Sequence, residues 1–346
     1  MASGEAKSDW SSRRIALERS SLCANCVGRP LCGDIGTEYQ CTDLNVPVRT
    51  AHPANPSFLY RLSALGTLEF DVVALPQDYP RLPPFVPIVE PRGVGKLIQE
   101  PFVAVSLKDA FHESGSARKC VSLRRRLCAN AGSFVLLLCF GKDRLLGRFA
   151  DSIQHTAAAI ATGRFDLVTA LGLSYYRADP PIENLINMRE SLESFHQLQA
   201  HGVPAVPTVS FCNERDVERW TTWLTDNPSV RMVALDFQDA RRRRGWSFVL
   251  GGFRELARAA PADIHYLIRG ASKEDRIQDL FAATSRITVV NAQPFMKATM
   301  GVPCSRSQWR KQKTTLFRDW SRHSKRTCRR ALRQALQPLT QHCGSV

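Results

Sequence analysis

The feature that most constrains this chain is a repeated alternation, between Phe85 and Ala292, of short unbroken apolar runs and longer amphipathic stretches. The runs are Phe85–Glu90, Phe102–Leu107, Ser133–Phe140, Leu167–Ser174, Val203–Phe211, Val230–Phe237, Ile264–Arg269 and Ile287–Ala292. Most are apolar at consecutive positions, as strands covered on both faces require. The stretches between them carry apolar residues at helical spacing: Leu145, Phe149, Ile153, Ala157 and Ile160 within Arg144–Thr162 are one example. Ile182–Ala200, Glu214–Thr225, Phe248–Ala260 and Ser272–Ala283 repeat the pattern, the last opening on Ser272 and Asp275 as a capping box. Eight strands, most followed by a helix, read as an α/β chain folded into a (β/α)8 TIM-like barrel. A doubly wound open sheet is the alternative. No G-x-G-x-x-G follows a strand and no G-x4-G-K-[ST] occurs, which favours the barrel.

The flanks differ in texture. Residues 1–45 hold four cysteines, 46–84 form a Pro-rich connector, 85–303 are the barrel, and 304–346 are a basic C-terminal arm expected to be helical. Cys23, Cys26, Cys32 and Cys41 follow a C-x2-C-x5-C-x8-C pattern. The first pair suits one metal through a tight turn, and two more thiolates complete a tetrahedral set. Zinc is the expected occupant of this N-terminal Cys-rich metal-binding lobe, with an iron–sulfur cluster as the alternative. Cys139 and Cys212 lie in apolar runs and read as core residues. The longest apolar run, Phe134–Phe140, is far too short for a membrane span, and the N-terminal stretch has no apolar signal region. The expectation is a cytoplasmic protein.

The formal net charge is +15, and it is unevenly placed. From Cys304 onward there are eleven cations and one anion, Asp319. Such asymmetry points to a polyanion, because each phosphate that is neutralised releases condensed counterions. Arg310, Lys311, Lys313, Arg326, Arg329 and Arg330 are the candidate contacts to DNA or RNA, with Trp309, Phe317 and Trp320 interleaved as stacking platforms. The competing reading is a solvated basic helix whose aromatic face packs on the body. The run Arg241, Arg242, Arg243 and Arg244 follows the sixth strand and is a second candidate for phosphate contacts, or a solvated loop.

A barrel gathers its chemistry at the C-terminal ends of the strands. Asp236 is the most suggestive group, since a carboxylate inside Val233–Phe237 is costly unless paired. It is the candidate acid–base or nucleophilic residue, with Glu90 and Asp109 as further catalytic carboxylates. The alternative for Asp236 is an ion pair with Arg269 on the next strand. Arg269 itself suits an anionic ligand group. Lys142, Tyr175, Asn213 and Asn291 complete the candidate substrate contacts. His265 begins a strand and is expected in the core.

Between Leu171 and Phe211, Ser174-Tyr175, Pro180, Asn187-Met188-Arg189, Gly202 and Val206-Pro207-Thr208-Val209 resemble an uncharacterised family of phage- and plasmid-encoded proteins. That resemblance spans about 40 residues and implies mobile-element ancestry without an assigned activity. At the level of fold, a basic barrel with a thiolate site is similar to tRNA-guanine transglycosylases. In those the zinc cysteines come late in the chain and are spaced C-x-C-x2-C. The early, differently spaced cysteines here depart from that pattern, so no catalytic residue carries over. The resulting expectation is a nucleic-acid-associated barrel protein that modifies or hydrolyses a base or nucleotide. The alternatives are a non-catalytic nucleic-acid-binding protein of a mobile element, and a barrel enzyme for a small phosphorylated metabolite.

Overall fold

The computed structural model describes residues 61, 64–66, 68–90, 100–112, 132–141, 143–175, 181–238, 240, 243–302 and 313–341. Cys23, Cys26, Cys32, Cys41, Lys142, Arg241, Arg242, Arg310 and Lys311 lie outside the described residues, as do the side chains of Arg243, Arg244 and Lys313.

All eight apolar runs form strands, each shorter than its run: β1 Phe85–Pro87, β2 Phe102–Ser106, β3 Phe134–Leu138, β4 Leu167–Thr169, β5 Ala205–Val206, β6 Met232–Asp236, β7 His265–Arg269 and β8 Ile287–Asn291. β5 is the shortest because Pro204 and Pro207 flank it, and neither has an N–H to extend the ladder. The helices are α1 Leu107–Ala110, α2 Asp143–Asp151, α3 Ile153–Thr162, α4 Pro181–Ala200, α5 Glu214–Asp226, α6 Arg243–Ala259, α7 Glu274–Ala283, α8 Gln293–Thr299 and α9 Lys313–Gln341. No helix among the described residues is long and apolar enough to cross a membrane.

The strands make two parallel four-stranded sheets, ordered β1-β8-β7-β6 and β2-β3-β4-β5. The sheets meet along both pairs of edges. Ile88 bridges Ala104 between β1 and β2, where the Val89 amide donates to the Ala104 carbonyl at 2.9 Å. Thr208 bridges Ala234 between β5 and β6, where the Val209 amide donates to Ala234 at 2.8 Å and the Ala234 amide to Pro207 at 2.9 Å.

Two apolar clusters cover the two faces of these strands. One contains Val86, Ala104, Leu136, Leu167, Val206, Ala234, Leu267 and Val290, so every strand contributes to it. The larger cluster takes the alternate strand residues, among them Val103, Val135, Val168, Val233, Ile268 and Val289, together with the apolar faces of the helices. This is the two-sided burial that continuous apolar runs demand.

Three local expectations need correction. Arg144–Thr162 is two helices, divided at Ser152, whose hydroxyl donates back to the Arg148 carbonyl at 3.0 Å and competes with the helical ladder. The capping box at Ser272 does not form: α7 is capped at Lys273, and Asp275 accepts the Arg276 amide instead. In the C-terminal arm Phe317 and Trp320 are buried, so the stacking assigned to them is not available. The spacing of Phe317, Trp320, Ser324, Cys328 and Ala331 turns one face of α9 inward, and an indole N–H needs a partner once buried. Trp320 donates to the Val302 carbonyl at 2.8 Å, with the Lys297 ammonium 3.7 Å from its ring centroid.

The Pro-rich connector has neither helix nor strand from Phe70 to Pro83 and is strapped to the helices. The Trp223 indole donates to the Val72 carbonyl at 2.8 Å, and Asn227 and Gln199 accept the amides of Ala74 and Leu75 at 2.7 and 2.9 Å. Cys139 is buried, and burial pushes its thiol up. Cys212 is half-buried and accepts from the Asn184 amide at 3.6 Å.

His265 is half-buried at the start of β7 rather than in the core, with Nε2 2.8 Å from the Thr288 hydroxyl. Burial, reinforced by the Arg286 charge, lowers its pKa from 6.5 to about 4. The neutral imidazole is therefore the folded form. Its contribution is fully present above pH 6.5 and is lost as the pH falls toward 4, up to about 3 kcal/mol. Denaturant titrations of the wild type and His265→Gln should show a stability difference that narrows across this interval. A difference independent of pH would exclude the linkage.

Candidate functional site at the C-terminal ends of the strands

Asp236 and Arg269 end β6 and β7, and strand register places them opposite each other. Arg269 Nη1 donates to Asp236 Oδ2 at 2.8 Å, while Asp236 Oδ1 accepts the Gln238 amide at 2.9 Å. The ion-pair reading of Asp236 is thus realised. Both side chains remain partly open to solvent, at 27% for Asp236 and 18% for Arg269. Among the described residues no second carboxylate or carbonyl meets the Arg269 guanidinium. A guanidinium has five N–H donors, so most of them meet no acceptor among the described residues.

The guanidinium carbon lies 5.5 Å from the centroid of the Phe140 ring, which follows β3 in the other sheet. Phe140 bridges Gly172 after β4, and a Cβ on Gly172 would fall 2.0 Å from the ring. The glycine therefore makes room for the ring on which Arg269 rests. Neither Phe140 nor Gly172 announces itself in the sequence as a site residue. Only the register of β3 against β4 brings them together.

A second ion pair stands at the same ends of β1 and β2. Lys108 Nζ meets Glu90 Oε1 at 2.7 Å, and both side chains are exposed. Asp109 is next in α1 and is half-buried.

The remaining expected contacts have structural duties. Asn213 is the N-cap of α5, its side chain accepting the Asp216 amide at 3.0 Å. Asn291 ties the end of β8 to the loop after β7, donating to the Ala271 carbonyl and accepting the Gln293 amide, both at 2.7 Å. The Tyr175 hydroxyl is buried beside Ser210, and burial pushes its pKa far up. Arg326, Arg329 and Arg330 are exposed on α9, away from these strand ends. Among the described residues no group of three His, Cys, Asp or Glu side chains is arranged to hold a metal.

No family model matches this chain, and no curated protein matches it. Solved structures that are similar include a 4-hydroxy-2-oxoglutarate aldolase/2-deydro-3-deoxyphosphogluconate aldolase, with 15% identity and a TM-score of 0.42 over 70% of this chain and 94% of that one. A structure described as native KDPGal aligns with 12% identity and a TM-score of 0.40, over 75% of this chain and 100% of that one. A protein from Aquifex aeolicus aligns with 12% identity and a TM-score of 0.39, over 72% and 93%. None of the three is described as a phage- or plasmid-encoded protein or as a tRNA-guanine transglycosylase. Similarity at this level assigns the chain neither a family nor a reaction.

Proposed function

We propose that the two sheets close into one (β/α)8 ring and that its C-terminal rim is an enzyme site for a small anionic metabolite, with a phosphoryl or carboxylate group held by Arg269. The observation that carries this reading is the Arg269 guanidinium itself: it pairs with Asp236, lies over Phe140, and among the described residues most of its donors meet no other acceptor. A planar fork held in this way suits bidentate recognition of phosphate or carboxylate.

In this reading Asp236 orients the guanidinium, and both of its oxygens are already engaged. The Glu90–Lys108 pair stands two strands away along the ring, roughly 10 Å at the usual strand spacing. That separation lets one small molecule touch both pairs, with Glu90 and Lys108 exchanging a proton with its far end.

Titration calorimetry with inorganic phosphate and with three- to six-carbon sugar phosphates tests the site. Arg269→Gln should weaken binding at least about tenfold, the value of a charge-assisted hydrogen bond. Asp236→Asn should keep or raise affinity, because it removes a negative charge beside the bound anion. Undiminished binding by Arg269→Gln would refute the assignment.

A further inference from the structure

The opposite end of the molecule carries a second charged feature, independent of the rim. On α9, Arg318, Arg322, Lys325, Arg326, Arg329 and Arg333 follow one another at intervals of three or four with one exception, and so share one face over about 22 Å. Lys325 is bonded to the buried Glu100, Arg322 lies 3.9 Å from Asp319, and Arg330 on the flank lies 3.7 Å from Glu274. Among the described residues, Arg318, Arg326, Arg329 and Arg333 meet no carboxylate, and all four are exposed.

Beside this ladder is a cavity of about 230 Å³ at the N-terminal ends of β1 and β2. Pro83, Pro84, Phe85, Pro101 and Phe102 form its apolar walls, Lys325 and Arg329 close its α9 side, and the Glu100 carboxylate that also lines it is already engaged by Ser321 and Lys325. This volume is below the roughly 300–1,000 Å³ of a drug-sized site and suits one planar ring system. We propose that this face binds a single-stranded nucleic acid, with its phosphates along the arginine ladder and one base in the cavity against Phe102 and the prolines.

Two observations select this partner. Among the described residues the apolar stripe of α9 packs on the protein core, and Leu336, its one exposed large apolar side chain, is too small a face to insert into a lipid surface. A duplex keeps its bases stacked inside and offers none to the cavity, whereas a single strand supplies phosphates and open rings together.

The test is fluorescence anisotropy of the full chain with a labelled single strand of about 20 nucleotides, against its duplex and inorganic polyphosphate as competitors. Salt is varied from about 50 to about 200 mM. The single strand should bind best, with log K falling by about 0.7 per neutralised phosphate for each unit of log salt. Combining Arg326→Glu, Arg329→Glu and Arg333→Glu should weaken binding at least about a hundredfold and flatten the salt slope by about 2. These exposed positions leave the packed face of α9 intact, and an unchanged melting temperature verifies this. Equal binding of duplex or polyphosphate, or an unaltered affinity in the triple variant, overturns the proposal. Arg269→Gln should leave this binding unchanged, so the two sites fail separately.

Discussion

Gly270→Ala should lower stability by at least about 3 kcal/mol and abolish anion binding at the rim. Gly270 follows Arg269 with φ +102°, a region L residues avoid. A Cβ there would sit 2.4 Å from the Gln238 nitrogen and 2.5 Å from the Phe237 carbonyl carbon. Both obstacles are backbone, so no rotamer change relieves them. Strained dihedrals and overpacking each cost about 1–3 kcal/mol, and here they coincide. Relief requires the ends of β6 and β7 to part, where the Phe237 amide donates to the Arg269 carbonyl at 2.8 Å. The Asp236–Arg269 pair sits on that junction. Urea unfolding measures the first effect and calorimetry with phosphate the second. A variant with wild-type midpoint and wild-type affinity would show that the close approach does not constrain the rim.

Glu100→Ala should cost about 3 kcal/mol and loosen α9 from the body. Glu100 is buried; its Oε1 accepts from the Ser321 hydroxyl at 2.7 Å and its Oε2 binds Lys325. Removing the acid leaves Lys325 desolvated without a partner, the expensive way to break a buried pair. Part of that cost is recovered because Lys325 is 27% exposed, which places the estimate at the lower end of the usual 3–5 kcal/mol range. Cys328 reports the event. It lies in the α9 interface, where burial pushes its thiol up to about 12 and holds it protonated. Mass-mapped alkylation should find Cys328 inert in the wild type and reactive in Glu100→Ala. An inert Cys328 in a variant of normal stability would remove Glu100 as the anchor.

The strands were legible because burial on both faces leaves a local signature, a continuous apolar run, which survives without any knowledge of pairing. Asp236 and Arg269 were legible as partners for a related reason: each ends such a run, and consecutive strands tend to be neighbours. The ends of the elements were less so, since β5 stops where prolines remove donors and α2 stops where Ser152 bonds backward. Asn291 does end β8, but Asn213 caps α5 seven residues beyond the end of β5, and a capping amide and a ligand-binding amide look alike in sequence. The acid at Asp216, three residues after Asn213, was the available hint of a cap. Glu100 carried no signal, because its partners Ser321 and Lys325 lie more than 200 residues away. Trp320 misled in the other direction: aromatics among arginines suggest stacking, but their helical spacing turned them inward.

The rim assignment depends on the two sheets forming one closed ring, and amide hydrogen exchange at the seams addresses that directly. The amides of Val89, Val209 and Ala234 donate across the β1–β2 and β5–β6 edges. In a closed ring they should exchange only through global unfolding, as slowly as amides within β7. Fast exchange at these three positions, with β7 still protected, would show two separate sheets and no shared mouth.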